Sequence, residues 1–467
     1  LKSRPDKPAG DLDNDTIAAI ATPTGSGGIG IVRISGPQSL AILNDIFDPQ
    51  NPKSKPTPYM LRFGKIIGRK DRKALDEVLA VFMPGPKSFT GEDMVEIYCH
   101  AGQYMLKAIL DNILACECRP AEAGEFSLRR FLNHGVDLSR LEGAAEVVAS
   151  KTDLAYRLAR EHLLGGYGEQ IASLRTEIVR LLAELEADID FPEEESVGRI
   201  GREMLETRLD DVIERLDQLS DGYRIGKMIR DGYRVVILGP PNSGKSSLFN
   251  RLVHESRALV TPIPGTTRDY ISEWIDIDGL PVQLFDTAGL RTARGRVEKA
   301  GIESTRRLVG KADCILYLFD ISGKLRSLPK IDLGRNQKML ILLNKVDLVE
   351  KEQYRAEKWQ EKLPPGCEIM SISAKTGRGI KVLVRKIYDQ AGVADLTDNL
   401  VVTSQRHKVK IDACLSHLKK IRTLTSMPTE IISFELRQAA NQIGEITGAI
   451  YTEQILDEIF SSFCIGK

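Results

Sequence analysis

The 467-residue chain reads as a multidomain α/β plus α protein: an N-terminal α/β domain, a helical bundle, and a P-loop (Ras-like) α/β domain inserted into that bundle. Three observations predict this. The length exceeds what one ordinary domain holds. Strand and helix patterns alternate up to about Asn133, strand signals vanish from Leu138 to about Lys227, and helical spacing returns after Val401. Between the two helical stretches, the apolar run Val235-Val236-Ile237-Leu238 feeds Gly239-Pro240-Pro241-Asn242-Ser243-Gly244-Lys245-Ser246, and a helical pattern leaves it. That strand, glycine loop and helix are the order a phosphate cradle needs.

Taken in order, residues 1–14 are polar and mixed in charge, with no signal-peptide core. Ile17 to Ala21 and Gly30 to Ile34 are short apolar runs around a turn-rich segment and predict two paired strands. Val78 to Met83 and Met94 to Cys99 predict further strands, and Gln103 to Leu114 a helix. Ala144 to Leu164, Gln170 to Ile189 and Met204 to Leu219 predict long amphipathic helices. Strands and helices alternate from Tyr233 to about Gly392, which predicts a mostly parallel sheet. Val401 to Arg422 and Phe434 to Phe460 predict helices again. The expected domains are residues 1–134, 135–231, 232–392 and 393–467, the second and fourth forming one helical domain.

Composition bounds the function. Lysine plus arginine and aspartate plus glutamate both number 65, so any nucleic-acid contact must come from a local patch. Seven cysteines without framework spacing point to a reducing compartment. No apolar run approaches the roughly 18 residues of a membrane span. A cytoplasmic location is expected, with the mitochondrial matrix as the alternative.

The chemistry lies in ordered short motifs. In the phosphate loop Lys245 is expected to reach the β- and γ-phosphates and Ser246 to hold Mg²⁺, and Ser247, which opens the helical pattern, is expected at the nucleotide as well. Gly265-Thr266-Thr267-Arg268-Asp269 follows in a polar stretch, where a threonine can close over the γ-phosphate and complete the Mg²⁺ shell. Asp286-Thr287-Ala288-Gly289 ends an apolar strand, its carboxylate suited to the metal and the Gly289 N–H to sensing the γ-phosphate. Asn344-Lys345-Val346-Asp347 follows another strand, and the Asp347 carboxylate can accept both N–H groups of the guanine edge. Ser373-Ala374-Lys375 can place a backbone N–H on the guanine oxygen. Each falls at a strand's C-terminal end, where α/β ligands sit. Together they predict a GTPase. After Gly289 stands Leu290, which cannot orient water; Arg291, Arg294, Arg296 and Glu298 are the candidates for that task, and only a carboxylate orients water by accepting its hydrogen bond.

With these motifs the chain resembles the tRNA modification GTPases called MnmE or TrmE, from Asp15 to Lys467. The resemblance rests on Gly27-Gly28-Ile29-Gly30-Ile31-Val32-Arg33-Ile34-Ser35-Gly36, Ser88-Phe89-Thr90-Gly91-Glu92-Asp93, Gly124-Glu125-Phe126-Ser127, Asp190-Phe191-Pro192-Glu193-Glu194 and the terminus Phe463-Cys464-Ile465-Gly466-Lys467. It implies a homodimer built through a tetrahydrofolate-binding N-terminal domain. It implies a partner carrying FAD, MnmG or GidA, forming a heterotetramer, and a tRNA substrate. The wobble uridine would gain an aminomethyl or carboxymethylaminomethyl group at its 5-position, the carbon coming from 5,10-methylene- or 5-formyl-tetrahydrofolate. Arg33, Glu96 and Lys467 match folate-contacting positions; a further family lysine falls at Gly135, beside His134, where this chain departs. Asn242, Thr261, Ile263 and Thr266 match potassium ligands, Ser246 and Thr267 the Mg²⁺ positions, and Glu298 the water-orienting acid. In this family the nucleotide domains dimerise to hydrolyse GTP. The resemblance places Cys464 near the modification centre as a candidate catalytic thiol. For tRNA, Arg406-His407-Lys408-Val409-Lys410 and Lys419-Lys420-Ile421-Arg422 form a basic helix face, either solvated or a phosphate contact. The alternative is an RNA-binding ribosome-assembly GTPase, which needs neither a folate site nor a terminal cysteine.

Overall fold

A computed structural model describes residues 15–23, 25, 27–51, 56–190, 202–259, 271–287, 305–323, 333–334, 337–350, 368–393, 401–423, 428–461 and 463–466. The chain divides into two compact units, residues 1–145 with 444–467, and residues 146–443.

The first unit is built on strands β1 (Ile17–Ile20), β2 (Gly30–Ser35), β3 (Phe47–Pro49), β4 (Arg62–Ile67), β5 (Ala74–Met83), β6 (Met94–Cys99) and β7 (Arg119–Pro120). They form one sheet in the order β3-β4-β5-β6-β2-β1-β7. Pairing is antiparallel except for β7, which runs parallel to β1. Alternation along β2 sends Val32 and Ile34 to one face, where Ile42, Leu43 and Ile46 of α1 (Ser39–Ile46) and Leu106, Ile109 and Ile113 of α2 (Gln103–Leu114) cover them. Arg33, between them, therefore faces the other way, with Glu96 as its register partner on β6. On that second face Ile17 and Ala19 pack with Ala121 and Phe126.

Phe126 belongs to α3 (Glu125–His134), and Leu128 and Phe131 of the same helix meet Leu456, Ile459 and Phe460 near the C-terminus. The structure breaks two stretches expected to be continuous. Residues 144–164 divide into α4 (Leu138–Ala149) and α5 (Asp153–Leu164). Thr152 Oγ1 accepts the Ala155 N–H at 3.3 Å, a side-chain cap that starts a new helix. Past α6 (Gly166–Asp190) and α7 (Arg202–Asp231), the second break falls in residues 434–460, where Thr452 Oγ1 accepts the Ile455 N–H at 3.4 Å. Helix α7 runs beyond the predicted Leu219 and ends just before Tyr233.

In the second unit, Leu205, Leu209, Val212, Leu216 and Leu219 of α7 repeat at alternating spacings of four and three, a coiled-coil-like seam. The nucleotide domain's sheet comprises β8 (Tyr233–Leu238), β9 (Arg257–Ala258), β10 (Ile271–Ile277), β11 (Leu280–Asp286), β12 (Cys314–Asp320), β13 (Lys338–Asn344) and β14 (Glu368–Ser371). Its order is β14-β13-β12-β8-β11-β10-β9, with the first five parallel and the last two antiparallel. Leu248, Phe249 and Leu252 of α8 (Lys245–Glu255) and Ile380, Leu383 and Ile387 of α9 (Ile380–Ala391) pack on one face. The returning helices are α10 (Gln405–Thr423), which faces α7 with Ile411, Leu415 and Leu418 buried, then α11 (Thr429–Thr447) and, in the first unit, α12 (Glu453–Ser461).

Candidate functional site

The parallel strands of the second unit end on one edge, and that edge collects those nucleotide motifs that lie among the described residues. Gly244 precedes α8 with φ of +99°, and a Cβ there would lie 2.3 Å from Asn344 Nδ2. The loop therefore needs glycine both for its backbone and for the close approach of β13. Lys245 is the first residue of α8, and its ammonium donates to the carbonyls of Gly239 at 3.1 Å and Pro240 at 2.9 Å. The Ser246 hydroxyl donates to Asp286 Oδ2 at 2.8 Å, bringing together two hard oxygens of the kind Mg²⁺ takes alongside phosphate. Thr287 Oγ1 donates to the Ile237 carbonyl at 2.8 Å, tying the end of β11 to β8.

Asn344 joins the two halves of the site. Its Nδ2 donates to the Ser243 carbonyl at 2.7 Å, and its Oδ1 accepts the Ala374 N–H at 2.9 Å. The exposed Asp347 accepts the Ser373 hydroxyl at 2.6 Å, and that bond holds its carboxyl below the usual range. Asp347 is thus a carboxylate at neutral pH, as recognition of two donors on a base edge requires. Asn242 is exposed in the phosphate loop and Ser247 in the first turn of α8, and Lys375 is exposed beyond Ala374.

Two residues outside the nucleotide motifs complete this arrangement. Asp320, at the end of β12, pairs with the Lys345 ammonium at 2.5 Å. Burial raises the Asp320 carboxyl, but the bonds from Lys345 and Ser322 outweigh it and hold the group low. Arg251 of α8 donates to the carbonyls of Ala374 and Lys375. The expected Thr261, Ile263, Thr266, Thr267, Ala288, Gly289, Glu298 and Lys467 lie outside the described residues, as do Leu290 and the arginines near it.

A second constellation lies in the first unit. Arg33 pairs with Glu96 at 2.7 Å, and the Tyr98 hydroxyl donates to Glu96 Oε2 at 2.7 Å. Burial, with the Glu96 carboxylate adding to it, pushes the Tyr98 phenol up to about 12. The Arg33 guanidinium lies 5.3 Å from the Phe89 ring centre and 5.6 Å from that of Phe126. Its Nη1 donates to the Gly466 carbonyl at 3.3 Å, so the chain terminus arrives beside this pair. Ile465 forms a bridge with Ala123, and the Gly124 N–H donates to the Cys464 carbonyl at 3.4 Å. Cys464 is exposed. His134 Nε2 donates to the Ser88 carbonyl at 3.1 Å, whereas Gly135, at φ of +60°, ends α3.

An ionic network fixes α3 beneath this constellation. Arg129, 1% exposed, reaches Asp15 Oδ1 at 2.6 Å, Glu92 Oε2 at 2.9 Å and Glu125 Oε1 at 3.1 Å. Arg119 reaches the same Asp15 and Glu125 at 2.6 and 2.5 Å.

The basic run of α10 is ion-paired within the helix and to α7 and α11. Lys408 pairs with Asp412 at 2.5 Å, Lys419 with Asp217 at 2.7 Å, Lys420 with Glu435, and Arg422 with Asp210 at 2.6 Å. His407 is buried. These pairs offset part of the positive charge of the run.

Comparison with known proteins covers both units. The family model described as the MnmE helical domain matches residues 138–464, and the one described as the GTP-binding protein TrmE N-terminus matches residues 16–135. The chain is 40% identical to a tRNA modification GTPase MnmE of Desulforamulus reducens over 97% of this chain and all of that protein. It is 38% identical to the MnmE of Carboxydothermus hydrogenoformans over 97% of this chain and 99% of that one, and 39% identical to that of Clostridioides difficile over the same shares.

Proposed function

Because the chain belongs to the MnmE family of tRNA modification GTPases, we propose that its GTP hydrolysis serves a folate-dependent modification of the wobble uridine. In this reading an FAD-carrying MnmG (GidA) partner and this protein together install an aminomethyl or carboxymethylaminomethyl group at the 5-position. The observation that carries the reading is the meeting of Arg33, Glu96 and the terminal Gly466 on one sheet face. Arg33 and Glu96, with Lys467, would hold the tetrahydrofolate, which supplies the one-carbon unit. The exposed thiol of Cys464 lies on the same terminal segment, which supports its assignment to the modification centre.

At the nucleotide edge, Lys245 and the N-terminus of α8 would hold the phosphates, and Asp347 with the Ser373–Lys375 turn the guanine. Ser246 and Thr267 would ligate Mg²⁺, and Asn242, Thr261, Ile263 and Thr266 potassium, which supplies positive charge where other GTPases use an arginine. Glu298 would orient the attacking water in place of a residue at Leu290. A homodimer fits the first unit's sheet: the register partners Phe63 and Leu79 are both exposed, beside exposed Met60 and Leu61. An apolar face of this kind is covered by a second copy at modest cost. Among the described residues no helix is long and apolar enough to cross a membrane.

Mass spectrometry of tRNA nucleosides tests the reading. Cells lacking the chain should lose the 5-substituted wobble uridines, and the wild-type gene should restore them whereas Glu96→Ala should not. Unaltered wobble uridines in the deletion strain would overturn the proposal in favour of a ribosome-assembly role.

A further inference from the structure

The helix that begins at the phosphate loop also reaches the turn assigned to the base. Arg251 lies six residues after Lys245 on α8, roughly 9 Å along the helix axis. Its Nε donates to the Ala374 carbonyl at 3.3 Å and its Nη2 to the Lys375 carbonyl at 2.5 Å. Two consecutive carbonyls held by one planar fork fix two consecutive peptide planes.

The orientation this imposes follows from peptide geometry. In a trans peptide the carbonyl and the next N–H point in opposite directions. Drawing the Ala374 carbonyl toward α8 therefore turns the Lys375 N–H away from it. The neighbouring donors are committed elsewhere: the Ala374 N–H to Asn344 Oδ1 at 2.9 Å, and the Thr376 N–H to Ser373 Oγ at 3.1 Å. Lys375 itself is exposed.

We propose that Arg251 is a positioning residue for base specificity, holding the Ser373–Lys375 turn so that a backbone N–H meets the 6-oxygen of guanine. The inference rests on the guanine site proposed above and adds to it a residue outside the nucleotide motifs. Asp347 reads the 2-amino edge, and Arg251, acting through the turn, governs the 6-position. A lysine at this place offers a compact charge on a flexible stem and no planar fork, so it fixes the two peptide planes less firmly than the arginine does.

Three nucleoside diphosphates are compared: GDP, the hypoxanthine analogue that lacks the 2-amino group, and the 2,6-diaminopurine analogue that keeps it but carries an amine at position 6 and no proton on N1. The Asp347 contribution to the last is the same in wild type and Arg251 variants. Affinities for the full chain are read by displacement of a fluorescent GDP. Arg251→Met should weaken GDP about tenfold, the size expected from losing hydrogen bonds to a charged donor. The preference for GDP over the diaminopurine analogue should fall by the same factor, and the preference over the hypoxanthine analogue should stay as in the wild type. Arg251→Lys should fall between, and it carries the same test if the methionine variant does not fold. Unchanged discrimination at position 6, or equal losses at both positions, would overturn the role assigned to Arg251. A wild-type chain with no preference for guanine over either analogue would instead refute the base site, and the proposal with it.

Discussion

Replacing Arg129 by methionine removes one guanidinium from a buried cluster and leaves the packing volume nearly unchanged. Arg129 is 1% exposed and serves three carboxylates, those of Asp15, Glu92 and Glu125. Asp15 and Glu125 keep Arg119, at 2.6 and 2.5 Å. Glu92 keeps the Ser35 hydroxyl at 2.7 Å but loses its charged partner. Breaking a buried pair from one side costs about 3–5 kcal/mol, and the low end applies here because two of the three carboxylates stay paired. A loss of about 3 kcal/mol corresponds to roughly a hundredfold faster exchange for amides that open with this unit. Hydrogen exchange by mass spectrometry should show this in β1, β2 and α3 and leave α8 as in the wild type. Adding Glu92→Gln should recover much of the loss, because it removes the stranded charge. Burial raises the carboxyls of Asp15 and Glu125, yet their arginine bonds win and hold both below their ordinary 3.8 and 4.5. Their contribution is therefore complete above those ordinary values and is lost as the pH falls through the lowered ones. The gap between wild type and Arg129→Met should narrow below about pH 4. Equal protection in the two proteins at pH 7, or strictly additive losses from Arg129→Met and Glu92→Gln, would refute the reasoning.

Gly244→Ala puts a methyl group 2.3 Å from Asn344 Nδ2 at a φ of +99°. It should lower guanine-nucleotide affinity about a hundredfold with the far-UV spectrum unchanged; retained affinity would count against the close packing of loop and strand. Asp320→Asn removes the charge facing Lys345, a partly exposed pair worth about 1 kcal/mol, so GDP should leave about fivefold faster in stopped flow. An unaltered rate would show that Lys345 needs no such partner. Gly466→Ala places a Cβ 2.2 Å from the Ile20 carbonyl, at a φ of +91°. The terminus should lift from β1, and the Gly124 amide, which donates to the Cys464 carbonyl, should exchange faster; unchanged exchange would sink that account.

The nucleotide edge was legible because each of its motifs is contiguous and follows an apolar run, so the strand end and the reactive residues sit within a few positions of each other. Asp286, Asn344 and Ser373 fall where the sequence places them. Asp320 and Arg251 were not legible, since a lone charge at a strand end or on a helix face resembles any solvated residue until its partner is known. The Arg33–Glu96 pair depends on antiparallel register across two strands, and the arrival of Gly466 spans 433 residues, a separation that no local pattern encodes. The helix breaks at Thr152 and Thr452 escaped for a different reason. Helical spacing reads on across both, whereas the capping bonds start the new helices and Gly448, at φ of +84°, follows the end of α11.

These placements bear on how base and phosphate act together. Asn344 touches the phosphate loop through the Ser243 carbonyl and the base turn through the Ala374 N–H, so a shift of either one strains the other. Arg251 makes a second, independent link, from the helix that carries Lys245 and Ser246 to the Ala374 and Lys375 carbonyls. With both links made, a nucleotide that fits at the base finds the phosphate donors already in position, and ordering them no longer draws on its binding energy. Cutting one link should therefore weaken GDP more than it weakens inorganic pyrophosphate, which touches only the phosphate end. Cutting both should cost less than the sum, because the second cut frees a turn that is already loose.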